Sequence, residues 1–223
     1  MKSAVIVFPG SNCERDLYNA LKKTTDTDCS LIWYKETSLP SNLDILFIPG
    51  GFSFGDYLRC GAIAAKSPII KAVLKFASRG GYIVGICNGF QVLTEIGLLK
   101  GALIRNSNLR FICKQQAITV ENSISFFRKK FKIGEEIILP IAHHDGNFYA
   151  ESNVLKELEG NGQIVLRYKI NPNGSRNSIA GIASLNGRVV GMMPHPERAV
   201  DQRFSSNDGS VFFNSIEKYF VEI

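Results

Sequence analysis

The stretch GGYIVGICNGFQVLTEIG, residues 80–97, joins a short apolar run to an amphipathic run through a turn that contains Cys87. The run YIVGI, residues 82–86, has the length and composition of a buried strand, and the segment after Cys87 has helical spacing. Glycines stand two positions before and two positions after the cysteine. The stretch therefore predicts a strand, a sharp turn and a helix, with one thiol at the turn.

The same alternation of apolar and amphipathic runs extends through the first half of the chain. Apolar runs predict strands at 4–8, 30–34 and 44–49, and amphipathic runs predict helices at about 13–24, within 56–78 and at 88–96. Strands without a polar face, separated by helices, are typical of a parallel sheet covered on both sides. Ser67-Pro68 is expected to cap one helix start, and Gly80-Gly81 to end that helix.

The second half is richer in strands. Strands are expected within 110–121, 135–143 and 162–169, followed by a hairpin at 178–195 and a last helix at about 208–221. Asn186-Gly187 in the hairpin suits a type I′ turn. We therefore predict one α/β domain over residues 1–223, with a mixed, mostly parallel sheet flanked by helices. In such sheets function gathers at the carboxyl ends of strands, here after Phe8, Ile48 and Ile86.

Composition limits the class of protein. The 223 residues are 45% hydrophobic and 21% charged, the balance of a folded globular protein. The N-terminal segment has too few apolar residues for a signal peptide. No stretch of the sequence approaches the run of about 18 apolar residues that a membrane-spanning helix needs. We therefore expect a cytoplasmic protein.

The five cysteines, at positions 13, 29, 60, 87 and 113, form no C-x-x-C pair, and their odd number disfavours a disulfide framework. The formal net charge is +6, and the densest basic run is RKKFK at 128–132. Because 20 acidic residues are interspersed along the chain, this run suits a solvated face or a docking patch better than a nucleic-acid arm.

Cys87 is the centre of a G-x-C-x-G pattern, residues 85–89. A nucleophile on a strand-to-helix turn needs small neighbours, because the chain packs closely there and the reactive atom must stand clear. The positive end of the following helix would favour the thiolate, and the backbone N–H of Asn88 would face an oxyanion on the substrate. The alternative is a buried, unreactive thiol, since glycines flank many such turns.

A catalytic cysteine requires a base, and the chain has three histidines. His195 follows an apolar strand and lies between two prolines, which hold the backbone extended. Glu197 would then lie on the same side of the segment, where its carboxylate can orient the imidazole. Taken singly, His195 could be an exposed loop residue and Glu197 a helix cap or a partner of Arg198. Together with Cys87 they form a candidate Cys-His-Glu triad.

Gly50 and Gly51 follow another apolar strand. They can turn a backbone N–H toward Cys87 as a second oxyanion donor, the alternative being an ordinary glycine-rich turn. The chain has no glycine motif for phosphate binding.

The other two histidines, His143 and His144, are followed by Asp145. Consecutive residues on a strand point to opposite faces, so the trio is not expected to hold one ion. No metal site is predicted in the chain.

Two motifs together resemble the class I glutamine amidotransferases: GICNGFQVL at 85–93 and PHPE at 194–197. These enzymes release ammonia from glutamine with a Cys-His-Glu triad on a flavodoxin-like α/β fold. The resemblance extends over nearly the whole chain to the glutaminase subunits of a synthase of purine biosynthesis, through FPGSNCERD (8–16), PGGFSFGDYLRCGAIAA (49–65), LIRNSNLRFICK (103–114), IAHHDGNFYA (141–150) and NPNGSRNSIAGI (171–182). His144-Asp145 departs from the Gly-Glu expected there, which affects that loop and not the triad.

The resemblance implies a role for each candidate residue. Cys87 would be the nucleophile, His195 the base and then the acid, and Glu197 the residue that orients it. The oxyanion hole would consist of the N–H groups of Gly51 and Asn88. The residues implied to border or hold the glutamine substrate are Gly50, Gln91 and Asn106.

The resemblance also implies a division of labour between chains. No cofactor is expected in this chain, which lacks motifs for ATP or magnesium. ATP, magnesium and formylglycinamide ribonucleotide would bind to a separate large synthetase subunit, with a small third subunit in many bacteria, and ammonia would pass between the chains. No nucleic-acid or membrane partner is expected. Residues 171–182 and 141–149 are candidate docking loops, the alternative being ordinary surface turns.

Other functions remain open on the sequence. A cysteine hydrolase or glyoxalase-like protein can share the elbow cysteine without the P-H-P-E element, and an amidotransferase can serve another synthetase. A non-catalytic module with the same fold would be favoured by the loss of a triad residue, but Cys87, His195 and Glu197 are all present.

Overall fold

Short hydrophobic strands alternate with helices in the computed structural model, which describes residues 1–121, 123–126, 131–203 and 206–222. The strands are β1 (Lys2–Val7), β2 (Asp28–Trp33), β3 (Ile45–Ile48), β4 (Tyr82–Ile86), β5 (Ala102–Ile104), β6 (Ile112–Val120), β7 (Glu136–His143), β8 (Asn147–Tyr149), β9 (Ile164–Tyr168), β10 (Ile179–Ala183) and β11 (Val189–Met192). The α-helices are α1 (Glu14–Thr24), α2 (Ile69–Ser78), α3 (Asn88–Glu95), α4 (Ser152–Gly160) and α5 (Asp208–Val221).

Within the described ranges, nine strands form one sheet in the order β2-β1-β3-β4-β11-β10-β9-β6-β7. The strands from β2 to β11 pair in parallel. The strands from β10 to β7 continue the sheet in antiparallel pairs, and β5 pairs with β8 in a separate ribbon. The predicted α/β fold with a mixed sheet is confirmed.

The central parallel strands β3 and β4 are buried on both faces. Every residue of β3 is buried, and in β4 only Tyr82 is partly exposed. β1 leads to β2 in one direction across the sheet and β3 leads to β4 in the other, so right-handed crossovers place α1 and α2 on opposite faces. This reversal opens a crevice at the carboxyl ends of β1 and β3, which is where ligands bind in sheets of this class.

Helix α2 is shorter than the segment 56–78 that the sequence favoured. It covers only the last part of that segment, and two 3₁₀ turns at Ser53–Asp56 and Ala64–Lys66 precede it. The helical path is broken at the start of the segment because two residues other than glycine have left-handed φ angles, namely Asp56 (54°) and Leu58 (70°).

The predicted residues at the two ends of α2 and in the hairpin turn agree only partly with the structure. The Ser67 hydroxyl has no hydrogen-bond partner among the described residues, so the predicted side-chain cap of α2 is wrong. Gly80 does end this helix, with a φ of 84°. The hairpin turn between β10 and β11 is not type I′, because that turn needs positive φ at both Asn186 and Gly187, and only Gly187 has one, 70°.

The remaining predicted strands and the last helix are present, with shifts at their ends. Among the described residues, no helix combines the length and the apolar character needed to cross a membrane. Three residues of the basic run at 128–132, residues 128–130, lie outside the described ranges.

Close packing of α3 on β3 generates a test of the fold. A Cβ at Gly89 would lie 2.0 Å from the carbonyl oxygen of Ile48, a backbone atom held in the sheet. Gly89→Ala is therefore expected to lower the free energy of unfolding by about 1–3 kcal/mol. Gly160→Ala is the control, because a Cβ there meets no heavy atom within 4 Å. Thermal unfolding gives the melting temperature of each variant, and equal values would contradict the close packing of α3 on β3.

Candidate active site

Strand register brings the predicted triad together. β11 runs parallel to β4 with Met192 opposite Ile86, so the segments that leave the two strands are neighbours. Cys87 directly follows β4, and its N–H donates to the carbonyl of Met192 at 2.7 Å. His195 lies shortly after β11, and its N–H donates to the carbonyl of Pro140 at 2.8 Å. Residues far apart in the sequence thus meet at one edge of the sheet.

The turn at Cys87 is as sharp as predicted. Cys87 has φ 50° and ψ −104°, a backbone conformation that residues other than glycine rarely adopt. Gly85 is required beside it, because a Cβ there would lie 2.5 Å from Leu93 Cδ1 and 2.6 Å from the carbonyl oxygen of Gly89. The Cys87 side chain is 5% exposed, and its Sγ lies 3.7 Å from the carbonyl oxygen of Ala142. The strained turn holds the thiol at the start of α3.

His195 and Glu197 form a buried pair. The Nδ1 of His195 lies 2.5 Å from Glu197 Oε1, and the residues are 1% and 3% exposed. The predicted contact is present, but the extended geometry offered as its reason is wrong, because Pro196–Arg198 forms a 3₁₀ turn. The turn folds the carboxylate back onto the imidazole. Glu197 thereby fixes Nδ1 as the N–H end of the ring and leaves Nε2 for reacting groups.

Opposing effects set the pKa of His195. Burial favours the neutral ring and lowers the pKa, whereas the Glu197 carboxylate, followed by Cys87 and Cys13, raises it. The net result is a pKa well above its ordinary value. A ring that keeps its proton in this way is suited to protonate a departing amine.

Gly50 and Gly51 place backbone close to the triad. A Cβ at Gly50 would lie 2.7 Å from His195 Cε1 and 3.4 Å from Cys87 Cβ, and Gly51 has a φ of 121°. Neither position has room for a side chain. Among the described residues, the N–H groups of Gly51 and Asn88 have no acceptor. This arrangement leaves both free for an oxyanion, and their role there stays a prediction.

The side chains of Asn88 and Gln91 tie the neighbouring loops together. Asn88 Oδ1 accepts from the Ser53 N–H at 3.2 Å, and its Nδ2 donates to Asp56 Oδ1 at 3.1 Å and to Gln91 Oε1 at 2.9 Å. Gln91 Nε2 donates to the carbonyl of Asp145 at 2.7 Å. The predicted substrate residue Gln91 therefore also positions the loop at 143–146 against α3.

The side-chain amide of Asn106 joins separate backbone segments beside the site. It is fully buried, and its Nδ2 donates to the carbonyls of Arg110 and His143 at 2.9 and 3.0 Å. Its Oδ1 accepts from the Gly146 N–H at 3.1 Å. With its amide engaged by the protein, Asn106 shapes the loop beside the site, and direct contact with substrate stays a prediction.

His143 and His144 point apart, as their positions predict. His143 is buried, and burial, followed by the charge of His195, lowers its pKa to about 4. His144 is partly exposed and bonds the carbonyl of Leu109 through Nε2 at 3.1 Å. A neutral His143 beside the triad is a feature that the sequence alone did not reveal.

Cys13 is the site residue that the sequence interpretation missed. No catalytic motif surrounds it in the sequence, but its Sγ lies beside the triad, 3.0 Å from Arg198 Nη2 and 3.3 Å from Asn12 Oδ1. Burial raises the pKa of the Cys13 thiol. The available signal was its position just after β1, at the same edge of the sheet as Cys87.

The segment 171–182 is less exposed than its composition suggested. Asn173 and Ser175 are buried, and they donate to the carbonyl of Gly146 at 2.7 and 3.3 Å. These two residues therefore brace the loop beside the active site instead of forming an ordinary exposed turn.

The buried pair generates a test by titration. Glu197→Gln removes the carboxylate charge that raises the pKa of His195, so the imidazole should lose its proton at a lower pH than in the unmodified protein. NMR of the His195 ring across pH measures the shift. Glu157→Gln, an exposed partner of Lys100, is the control and should leave the titration unchanged. An unchanged titration in Glu197→Gln would contradict the charge pair.

Comparison with known proteins agrees with this geometry. Residues 1–211 match the family model of the CobB/CobQ-like glutamine amidotransferase domain. The chain is 54% identical over 216 residues to phosphoribosylformylglycinamidine synthase subunit PurQ of Ruegeria pomeroyi, covering 97% of each chain. It is 52% identical to the subunit of the same name from Lacticaseibacillus paracasei, covering 97% of this chain and 94% of the relative.

Among solved structures, a chain of PurLQS from Thermotoga maritima superimposes with a TM-score of 0.90 at 44% identity, covering 98% of each chain. A glutamine amidotransferase from the same organism shares the fold, with a TM-score of 0.60 at 16% identity over 100% of this chain and 97% of that one. The chain therefore belongs to the CobB/CobQ-like glutamine amidotransferase family, in the group that its PurQ relatives represent.

Proposed function

We propose that this protein is the glutaminase subunit of phosphoribosylformylglycinamidine synthase. The observation that carries the proposal is the buried His195–Glu197 pair beside the strained turn of Cys87, in a chain 54% identical to a PurQ subunit. The family match and the complete triad favour an amidotransferase over a glyoxalase-like hydrolase or a non-catalytic module.

The first half of the reaction forms a thioester. The Cys87 thiol first gives its proton to Nε2 of His195, and the thiolate then attacks the side-chain amide carbon of glutamine. The carbonyl oxygen becomes an oxyanion that the N–H groups of Gly51 and Asn88 can stabilise. His195 then gives its proton to the departing nitrogen, so ammonia leaves and a γ-glutamyl thioester remains on Cys87.

The second half restores the enzyme. A water molecule gives a proton to Nε2 of His195 and attacks the thioester carbon. The carbon–sulfur bond breaks, glutamate leaves, and the proton returns to Cys87 Sγ. Throughout, Glu197 holds Nδ1 and stabilises the imidazolium, as in other triads.

The ammonia is used on another chain. We assign ATP, magnesium and formylglycinamide ribonucleotide to a large synthetase subunit, accompanied by a small third subunit, and we assign no cofactor to this chain. The relative from Thermotoga maritima, which comes from a structure of PurLQS, supports association with other subunits. We place the protein in the cytoplasm, where purine synthesis supplies its partners.

Exposed apolar side chains near the site suit the synthetase as their partner. Leu58 is 93% exposed and Leu109 is 71% exposed. Leu58 lines a cleft together with Phe52, whose ring lies 6.4 Å from that of Phe111, two residues after Leu109. The loop of Leu58 is held to α3 through Asp56 and Asn88, so this surface adjoins the active site. A partner that receives ammonia must cover this edge, and it would bury the exposed apolar area.

Loss of the nucleophile should separate ammonia production from ammonia use. In the complex with the synthetase, Cys87→Ala should abolish glutamate release from glutamine, while ammonium salts should still support product formation. Cys113→Ala, at an exposed position on β6, is the control and should keep both activities. Glutamate release by Cys87→Ala at the wild-type rate would overturn the proposal.

Charge substitutions test whether the exposed apolar surface at Leu58 and Leu109 binds the synthetase. Leu58→Asp and Leu109→Asp introduce charges that would be desolvated in the complex, so each should weaken binding to the synthetase by about tenfold or more. Leu185→Asp is the control, since Leu185 is 67% exposed in the loop that precedes β11, at the opposite edge of the sheet. Binding measured by calorimetry distinguishes them, and equal affinities for all three variants would exclude this surface.

A further inference from the structure

A cleft of about 750 Å³ lies at the end of the sheet opposite to the active site. Its lining includes Asp44, which directly precedes β3, and Tyr82, which begins β4. Cys87 directly follows the other end of β4, so about 17 Å of extended chain separates the cleft from the nucleophile. The volume suits a small-molecule ligand, and the reaction described above uses none of the lining residues.

Three cationic side chains line one side of this cleft: Lys71 and Lys75 in α2, and Arg79 directly after that helix. They are spaced four residues apart, so they follow one face of the helix over a length of about 12 Å. Within the part of the chain that the structure describes, none of the three side chains has a hydrogen bond or an ion pair. Like charges at this spacing repel each other, and α2 contains no acidic residue to balance them. An anion in the cleft would relieve this repulsion.

An apolar surface forms another part of the lining. Leu39, Phe76 and Phe220 line the cleft and are partly buried against the core, so each keeps some apolar area accessible. The ring of Phe76 lies close to the backbone, since a Cβ at Gly81 would be 2.4 Å from Phe76 Cε1. This surface suits a planar apolar group such as a nucleobase.

One carboxylate, that of Asp44, also lines the cleft. Its Oδ2 accepts a hydrogen bond from the Lys2 N–H at 2.7 Å, which holds the side chain at the start of β3. A carboxylate repels phosphate groups but accepts hydrogen bonds from the hydroxyl groups of a sugar. Three cations, one carboxylate and an apolar surface therefore match a ligand with phosphates, a sugar and a base better than they match inorganic phosphate.

We propose that this cleft binds a nucleoside diphosphate, with the phosphates along the three cationic side chains. Lysine and arginine provide the donors that phosphate oxygens accept, in place of the glycine motif that the chain lacks. The sugar hydroxyls face Asp44, and the base packs on the apolar surface. Because β4 separates this site from Cys87, the nucleotide does not occupy the space that glutamine needs.

Calorimetry with the full chain and ADP, in the absence of magnesium, tests the site. The experiment requires no glutaminase activity, so its result does not depend on the proposed function. ADP should bind at one site, and Lys71→Gln combined with Lys75→Gln should weaken binding by about tenfold or more, because two phosphate partners lose their charge. Both lysines are exposed, so the double variant should fold, which circular dichroism verifies.

The matched control combines Lys114→Gln with Lys156→Gln. These lysines are exposed on β6 and α4, outside the cleft, and their substitution changes the net charge by the same amount. The control should bind ADP as tightly as the unmodified protein does. An equal loss of affinity in the two double variants would show attraction by the overall charge and would overturn the site, as would the absence of ADP binding to the unmodified protein.

Adenosine and inorganic pyrophosphate separate the two halves of the ligand. Each should bind at least about tenfold more weakly than ADP, because each lacks the contacts of the other half. Pyrophosphate that binds as tightly as ADP would overturn the assignment of a nucleoside diphosphate, and so would adenosine that binds as tightly as ADP.

Discussion

The parallel pairing of β4 with β11 is the constraint on which the active site depends. It sets Met192 opposite Ile86, so the turn that carries Cys87 and the segment that carries His195 leave the sheet side by side. The antiparallel strands beyond β11 support this pair from the other side, since the His195 N–H bonds to Pro140 in β7. Hydrogen bonds of the main chain thus create the proximity that the thiol and the imidazole require.

Close backbone packing is the second requirement, and it explains why the site is glycine-rich. Gly50, Gly85 and Gly89 each lie where a Cβ would meet another atom within 2.7 Å. The left-handed φ of Cys87 costs free energy, which the surrounding packing must offset. The amide side chains of Asn88 and Gln91 then hold the adjoining loops in register with α3. Chemistry and packing are therefore coupled at the same few residues.

Much of this could be predicted because the signals are local. Buried strands read as apolar runs, and Cys87 and the P-H-P-E element each stand directly after one. Other features depend on contacts that a linear sequence does not display. The left-handed φ angles at Asp56 and Leu58 interrupt the segment expected to be helical, and Ser67 does not cap α2. Cys13 was missed because no catalytic motif surrounds it, and its position after β1 indicates only the edge of the sheet and not a contact with the triad.

In the proposed reaction, Cys87 is the nucleophile that carries the glutamyl group. Mass spectrometry of the complex, quenched in acid while it turns over glutamine, tests this role. We expect one γ-glutamyl group, attached to the peptide that contains Cys87 and absent from the peptide that contains Cys13. A glutamyl group on any other cysteine, or its absence from Cys87 during rapid glutamate release, would contradict the nucleophilic role of Cys87.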